Sequence, residues 1–188
     1  QLNNSKKTAA LGIDGYAEVE WNGDISVTGS AANAVVARGL GQLTVNGNIA
    51  SSSKDNPAVA LSGSPTIRIN GSIIQKGNNN ALILRGGKIA MNGNISSTAS
   101  YPVIWILYGQ MKQIGNITSN KSTCVHIHED GIVQIQGEVQ LPNKKFFALY
   151  IAMHGFISVD GTIDAPYPGR CRTSPYGEIL LNGTQIDS

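Results

Sequence analysis

The stretch QLTVNGNI, residues 42–49, contains the phrase on which the fold of this chain depends. It alternates apolar and polar residues, reaches an Asn-Gly pair and then resumes with isoleucine. Related phrases return along the 188-residue chain as IRINGSI (67–73), IAMNGNI (89–95), MKQIGNI (111–117), VQIQGEV (133–139) and ISVDGTI (157–163). Regular return of one short phrase indicates a repeat architecture.

The glycines of the chain set the period of this repeat. The glycine inside the phrase recurs in steps of 22 or 24 residues, at Gly23, Gly47, Gly71, Gly93, Gly115, Gly137, Gly161 and Gly183. A second series follows the same period at Gly39, Gly63, Gly86, Gly109, Gly131, Gly155 and Gly177. Two independent series with one period predict a solenoid.

Apolar residues around the phrase glycine have the spacing of strands. Residues four before it, two before it and two after it form three rows: Val19, Leu43, Ile67, Ile89, Met111, Val133, Ile157 and Ile179; Trp21, Val45, Ile69, Met91, Gln113, Ile135, Val159 and Leu181; Ile25, Ile49, Ile73, Ile95, Ile117, Val139, Ile163 and finally Gln185. A spacing of two places each set on one strand face. Strands that pair with the same strand one turn on form a parallel β-helix, with these rows filling its interior.

The residue before the phrase glycine fits a corner of the coil. It is asparagine at Asn22, Asn46, Asn70, Asn92 and Asn182. Asn and Gly tolerate left-handed backbone angles, and stacked Asn amides can hydrogen-bond along the axis. A hairpin is the alternative interpretation of each Asn-Gly pair, but hairpins would not maintain this period.

Composition limits the possible partners. Charged residues make up 14% of the chain and the net charge is only +2, which argues against nucleic acid as a partner. No run of about 18 apolar residues occurs, so no membrane span is expected.

The repeat resembles single-stranded right-handed β-helices, which include pectate-lyase-like proteins and bacteriophage tailspikes and tail fibres. The similarity covers about residues 16–185 and concerns the repeat pattern, not a catalytic motif. It implies an all-β, right-handed parallel β-helix solenoid of about eight coils of 22–24 residues. We expect an N-terminal cap or linker at 1–15 and the β-helix at 16–188.

The strand before the second glycine series predicts a contact between subunits. We expect its inward row to contain Val35, Val59, Leu82, Trp105, Ile127 and Ile151. The neighbouring outward positions would then form an apolar strip of Ala34, Val36, Ala58, Ala60, Ala81, Ile83, Ile104 and Ile106. Such a strip rarely faces water. We predict that it joins a homotrimer, as in phage fibres; the alternatives are cover by Leu11 and Ile13 of the N-terminal segment, or a different partner protein.

Further along the chain the same strand becomes polar and aromatic. The candidate ligand-binding residues are Tyr108, His126, His128, Asp130, Tyr150, His154, Arg172 and Tyr176. Tyrosine faces can stack on sugar rings, so a polysaccharide is a candidate ligand. The three histidines, expected on one face, also fit the geometry of a zinc or nickel site, although His-x-His on a sheet is more often only a polar patch or a subunit contact. We predict no metal and no cofactor.

The sequence contains no convincing catalytic constellation. Asp24, Glu138 and Asp160 are too scattered for a calcium-dependent lyase, and no carboxylate pair is evident for a glycoside hydrolase. Cys124 and Cys171 should lie two coils apart, too far for a disulfide.

The preferred interpretation is a structural and recognition module of a bacteriophage fibre, spike or other virion appendage that contacts host surface glycan or other virion proteins. A polysaccharide lyase or glycoside hydrolase of β-helix type is the first alternative. A bacterial surface adhesin or scaffold is the second. The expected location is the virion, or the extracellular space or cell surface.

Overall fold

A computed structural model describes residues 1–5, 8–29, 32–166 and 170–186; the other positions of the predicted segments 1–15 and 16–188 lie outside the described residues. The described chain contains strands and no helix. The strands are β1 Leu2–Asn4, β2 Leu11–Ile13, β3 Glu18–Asn22, β4 Ile25–Val27, β5 Val35–Gly39, β6 Gln42–Asn46, β7 Ile49–Ser51, β8 Val59–Gly63, β9 Thr66–Asn70, β10 Ile73–Gln75, β11 Leu82–Asn92, β12 Ile95–Ser97, β13 Ile104–Ile114, β14 Ile117–Ser119, β15 Val125–Ile127, β16 Ile132–Gln140, β17 Leu149–Ile151, β18 His154–Asp164, β19 Cys171–Thr173, β20 Tyr176–Leu181 and β21 Thr184–Gln185.

These strands wind into a parallel β-solenoid of about eight turns, which we call coils, as predicted. The first sheet stacks β2, β5, β8, the start of β11, the start of β13, β15, β17 and β19. The second sheet runs from β3 to β20, and the third from β1 through β4 to the end of β18. Each strand thus pairs with its counterpart one coil away.

The core contains the predicted columns of the second and third sheets together with inward residues of the first sheet, such as Leu82 and Ile104. Ile25, Ile49, Ile73, Ile95 and Ile117 pair in register, and all are fully buried. The column that starts at Val19 and Leu43 pairs in the same way through the second sheet. Burial of a complete isoleucine contributes roughly 1.5–3 kcal/mol. The interior columns are therefore the main source of stability.

Two hydrogen-bonded ladders run along the corner between the second and third sheets. The predicted asparagine ladder forms at its first steps: Asn46 Nδ2 donates to Asn22 Oδ1 at 2.8 Å, and Asn70 Nδ2 donates to Asn46 Oδ1 at 2.7 Å. A second ladder uses the residue after the glycine. Asn48 N donates to Asp24 Oδ1 at 2.7 Å, and Ser72 N donates to Asn48 Oδ1 at 3.0 Å.

The second ladder continues with the backbone amides of Asn94, Asn116 and Glu138, each of which donates to the side chain one coil below. We did not predict this ladder from the sequence. Its signal is the small or polar oxygen-bearing residue that follows each phrase glycine.

The last Asn-Gly pair does not form another corner. Asn182 has φ 50° and Gly183 has φ 78°, the left-handed angles of a tight hairpin turn. β21 accordingly folds back antiparallel on β20, with Leu181 opposite Thr184. The prediction that Gln185 continues the isoleucine row is therefore wrong. Here the alternative interpretation of an Asn-Gly pair, a hairpin turn, is correct.

The predicted register of the first sheet fails in the fifth coil. Leu82 pairs with Ile104 and Leu84 with Ile106, but Arg85 pairs with Tyr108, so Leu107 is an extra residue. An added residue exchanges the two faces of a strand. Trp105 therefore points outward, contrary to the predicted inward row, while Ile104 and Ile106 are fully buried. Ile127 and Ile151 point inward as predicted.

The predicted apolar outer strip is consequently wrong in most of its residues. Five of the eight belong to the buried core, namely Ala34, Ala58, Ala81, Ile104 and Ile106, whereas Ile83 faces outward with Val36 and Ala60 although it is only 8% exposed. The three alanines lie one residue before their strands, where the chain turns into the sheet and simple alternation no longer applies. Val36 and Ala60 are only half-buried. The predicted homotrimer thus loses most of the surface on which it was based.

Leu11 and Ile13 do not cover that strip either. They belong to β2, which pairs with β5 as the first strand of the first sheet. β1 pairs with β4 in the same way at the start of the third sheet. The N-terminal segment thus lies across the end of the stack and not along its side.

Candidate functional site

One column of side chains points outward along the whole first sheet and changes character on the way. From Gly12 it continues through Val36, Ala60, Ile83, Trp105, His126, Tyr150 and Arg172. The early members are apolar and the later ones are aromatic or cationic. The column therefore offers two adjoining surfaces, a groove and an aromatic stack.

The groove, which we call the sheet-1 groove, lies above the early part of this column and has a volume of about 420 Å³. Its floor contains Val36, Ala60, Ile83 and Trp105. One wall is made by the end of the strands, where Arg38 and Arg85 are exposed. The opposite wall is made by the loops between the third and first sheets and contains Asp55, Asn56, Pro57 and Tyr101. The groove follows the axis of the rod across four coils.

Hydrogen bonds between coils hold the loop wall in place. Asn33 Nδ2 donates to the carbonyl of Pro57 at 2.8 Å, and Asn80 Nδ2 donates to the carbonyl of Pro102 at 2.5 Å. From inside, the buried Gln75 Nε2 donates to the carbonyls of Asn56 and Asn80 at 3.3 and 3.2 Å. The wall is therefore tied to the core in the free chain, and such preorganisation would lower the ordering cost of binding a ligand.

The aromatic stack continues from the groove at Trp105. The Trp105 ring meets His128 edge to face, with centroids 6.1 Å apart. His126 lies 4.7 Å from the Tyr150 ring and 5.6 Å from His128. The Arg172 guanidinium carbon lies 5.8 Å from the Tyr150 centroid, within the range of cation–π attraction. Trp105 is thus both the end of the groove and the first member of the stack.

Two residues of the stack, His126 and Trp105, lie in an environment that is unfavourable for their polar atoms. Burial, reinforced by the neighbouring His128, lowers the pKa of His126 to about 4. His126 is therefore neutral at physiological pH. Its Nε2 and the Nε1 of Trp105 are buried and have no hydrogen-bond partner among the residues that the structure describes. An unpaired buried polar atom costs roughly 1–3 kcal/mol, and such atoms often mark functional positions.

The eight predicted ligand-binding residues separate into distinct groups. His126, His128, Tyr150 and Arg172 belong to the aromatic stack. Tyr108, Asp130, His154 and Tyr176 each stand one residue before a glycine of the second series and lie at the corner that leads into the second sheet.

Within this corner group, the Tyr108 hydroxyl donates to the Glu129 carboxylate. The His154 and Tyr176 rings stack with centroids 5.2 Å apart. His154 pairs in register with Tyr176, at the start of second-sheet strands, and is not part of the His126 and His128 pair. The three histidines therefore do not form one cluster.

Metal and thiol chemistry have little support here. Within the described ranges, no group of three or more His, Cys, Asp or Glu side chains is placed to hold a metal ion. Cys124 and Cys171 are not joined in a disulfide, as predicted, and both are buried. Burial raises the pKa of each thiol to about 12. Neither cysteine is therefore an activated nucleophile.

Sequence reasoning missed several residues that line the sheet-1 groove, namely Arg38, Asp55, Arg85 and Tyr101. For the arginines a signal existed: Arg38 and Arg85 occupy the same position before the second glycine series as Tyr108, and the three lie in one column. Asp55 and Tyr101 come from loops of unequal sequence, and no periodicity identifies them.

No helix of the described chain is long and apolar enough to cross a membrane. Comparison with known proteins gave no matching family model, no similar curated protein and no similar solved structure. The functional assignment therefore depends on the geometry above.

Proposed function

We propose that this chain is a carbohydrate-recognition module in which the sheet-1 groove binds an extended glycan. The observation that carries the proposal is a long groove whose floor is apolar, whose end is the indole of Trp105 and whose walls hold charged groups. Ligand sites commonly combine an apolar lining with a few polar groups that orient the ligand. The groove has that composition along the axis of a rigid rod.

The chemistry of the lining matches that of sugars. A pyranose ring has apolar C–H faces, which pack on indole and phenol rings, and an equatorial rim of hydroxyl groups. Trp105 and the half-exposed Tyr101 offer such rings. Arg38 and Arg85 can donate hydrogen bonds to hydroxyls or carboxylates, and Asp55 can accept them. A linear chain of several sugars would follow the floor from coil to coil.

The number of carboxylates in the groove favours recognition over hydrolysis as its function. Asp55 is the single carboxylate among the described residues that line it. Glycoside hydrolysis usually needs two carboxylates, about 5–5.5 Å or about 6.5–9.5 Å apart. The lyase or hydrolase alternative therefore has less support than recognition.

A glycan-binding rod suits a phage fibre or spike that contacts host surface glycan, and it suits a bacterial adhesin equally well. We retain the virion appendage as the proposed setting, with the virion or cell surface as its location. The module would act by stiffness, because backbone ladders along the axis hold the groove straight. A homotrimer stays a prediction, to be tested by the mass of the native particle in solution.

The proposal is tested by binding to an array of immobilised bacterial capsular polysaccharides and lipopolysaccharide O-antigens. We expect retention of at least one polysaccharide, with affinity reduced roughly tenfold or more by Trp105→Ala and by Tyr101→Ala, since each removes a stacking ring. Tyr16→Ala is the matched control, because Tyr16 is 85% exposed and lies outside the groove. Thermal melting of each variant separates lost binding from lost folding.

Two results would contradict the proposal. One is unchanged binding in both groove variants while the wild type binds. The other is no binding to any polysaccharide by a correctly folded wild-type protein. If Trp105→Ala fails to fold because Trp105 is half-buried, Tyr101→Ala still tests the groove, since Tyr101 is half-exposed.

A further inference from the structure

The second sheet has an outward face of its own, separate from the sheet-1 groove. Three outward columns run along it, and in the third to fifth coils the central column is Arg68, Ala90 and Lys112. Lys88 belongs to the column on one side, and Asn70, Asn92 and Ile114 belong to the column on the other. Strand pairing alone therefore brings three cationic side chains together.

Ala90 turns this cluster into a concave site. Its methyl group lies between the long side chains of Arg68 and Lys112, so the surface of the sheet is depressed between those two side chains. Two adjoining hollows of about 420 and 230 Å³ share Arg68, Ala90 and Lys112. Together they form what we call the sheet-2 hollow. Lys88, Gln110, Ile132 and Gln134 line its larger part.

The charged residues that line the sheet-2 hollow are all positive. From the second to the sixth coil, the outward columns of this sheet contain Gln42, Thr44, Asn46, Thr66, Arg68, Asn70, Lys88, Ala90, Asn92, Gln110, Lys112, Ile114, Ile132, Gln134 and Gln136, and no carboxylate. Glu18 and Glu20 lie on the first coil, and Asp160 and Glu178 on the last two. Asp130 stands at the corner, in a small hollow with Tyr108 that adjoins the sheet-2 hollow through Gln110 and Ile132.

Screening keeps those carboxylates from neutralising the cluster. Glu20 is two coils from Arg68 in the same column, or about 10 Å. The Debye length at physiological salt is about 8 Å, so exposed charges at that separation interact weakly. The whole chain has a net charge of +2, yet this patch carries three positive charges. The positive potential is thus local to the hollow.

The neighbours of the three cations indicate what kind of anion fits. Ile132 and Ile114 are about two-fifths exposed beside the hollow and offer apolar surface to a ring face. Gln110, Gln134, Asn70 and Asn92 offer amides, which both donate to and accept from hydroxyl groups. A site for bare phosphate would need neither feature. Sugar rings that carry carboxylates need both.

The spacing of the cations suits a polymer. Arg68 and Lys112 are two coils apart, about 10 Å, and Lys88 lies one coil from each and about 7 Å to the side. A chain of sugars with a carboxylate at intervals can reach more than one of them. We propose that the sheet-2 hollow binds an acidic, carboxylate-bearing polysaccharide. This site is independent of the sheet-1 groove, because the two lie on different sheets of the rod and share no lining residue.

The test uses hyaluronan and alginate as carboxylated polymers, dextran as a neutral polymer and a short DNA duplex as a polyanion without sugar carboxylates. Binding is measured by biolayer interferometry at 50 and 200 mM NaCl. We expect hyaluronan or alginate to bind more tightly at 50 mM than at 200 mM NaCl, and any binding of dextran to be unaffected by substitutions in the sheet-2 hollow. The double variant Arg68→Gln/Lys112→Gln should weaken binding roughly tenfold, and Ala90→Glu should abolish it by placing a carboxylate on the floor.

The matched control is Lys144→Gln/Lys145→Gln, which removes the same charge from an exposed loop outside the hollow. It should retain wild-type binding. The same comparison is made in a Trp105→Ala background, which disables the sheet-1 groove; the loss caused by Arg68→Gln/Lys112→Gln should persist there, so the two proposals fail separately. The inference is overturned if neither carboxylated polymer binds, if the control variant loses as much affinity as the hollow variant, or if duplex DNA binds as tightly as hyaluronan and alginate.

Discussion

Replacement of Gly93 by alanine tests whether neighbouring coils approach as closely as the structure indicates. A Cβ on Gly93 would lie 2.3 Å from the carbonyl oxygen and 2.6 Å from the carbonyl carbon of Gly71, one coil below. Both atoms are backbone, so no side chain can move aside. Gly93 also has φ 149°, an angle that residues with a Cβ rarely adopt. Gly93→Ala therefore introduces a steric clash and backbone strain together.

The magnitude follows from these two contributions. Strain of this kind costs roughly 1–3 kcal/mol, and overpacking in a tight site typically costs about 1–3 kcal/mol. We expect Gly93→Ala to lower the free energy of unfolding by roughly 2–6 kcal/mol, which is a large share of a typical stability of about 5–15 kcal/mol. Urea unfolding followed by far-ultraviolet circular dichroism measures the difference.

Gly12→Ala is the control for this experiment. Gly12 lies in a strand, has no positive φ, and a Cβ there would meet nothing within 4 Å. Its replacement should change the free energy of unfolding by less than about 1 kcal/mol, and it can even stabilise the chain by restricting the unfolded state. If Gly93→Ala unfolds at the same urea concentration as Gly12→Ala, the close stacking of the corners is refuted.

Three other predictions concern protonation, the ladder and the thiols. The pKa of His126 is about 4 in the folded chain, against an ordinary value of 6.5, so between these pH values the unfolded chain binds a proton that the folded chain does not. The free energy of unfolding should therefore fall as the pH drops from about 6.5 to 4. Below pH 4 this group should cause no further decrease. Because His126 is partly exposed, we expect a decrease of only about 1–2 kcal/mol in the free energy of unfolding. In His126→Gln the urea midpoint should depend less on pH between pH 5 and 7 than in the wild type. An equal pH dependence in both proteins would show that His126 is not responsible. Asn48→Ala should lower the free energy of unfolding by about 0.5–1.5 kcal/mol, because it removes the side-chain oxygen that accepts a hydrogen bond from the Ser72 amide. The Ser72 amide should then exchange its hydrogen faster. Unchanged exchange at Ser72 would contradict the prediction. Cys124 and Cys171, both buried with pKa values of about 12, should react with Ellman's reagent only after denaturation, and rapid labelling of the native protein would disprove their burial.

The interior of the second and third sheets could be predicted from the sequence because every coil there has the same spacing around its glycine. Ile49, Ile73 and Ile95 fall in register with no insertion between them and the corner. The first sheet lacks that regularity, and the single extra residue Leu107 was enough to turn Trp105 outward. A pattern counted back from a glycine cannot reveal a bulge, because the bulge depends on how two strands pair.

The candidate sites were predictable only in part. The aromatic stack of His126, Tyr150 and Arg172 follows from outward positions that each stand five residues before a glycine of the second series. The loop wall with Asp55 and Tyr101 arises from segments of different sequence, placed by bonds from buried residues such as Gln75. The sheet-2 hollow depends on Ala90, which sequence reasoning treats as an unremarkable small residue on an exposed face. A depression is a property of neighbours on adjacent coils, and it is visible only once they are stacked.

Pairing of each strand with its counterparts one coil away has a consequence for local unfolding. In such a one-dimensional array, opening begins at the terminal units and proceeds inward, and each step loses one interface. The sheet-1 groove spans the second to fifth coils, and the sheet-2 hollow spans the third to sixth. Loss of the first or the last coil would therefore remove none of the described residues that line either surface. Within the described rod, the two proposed binding surfaces therefore lie on interior coils, whose amide hydrogens should exchange most slowly.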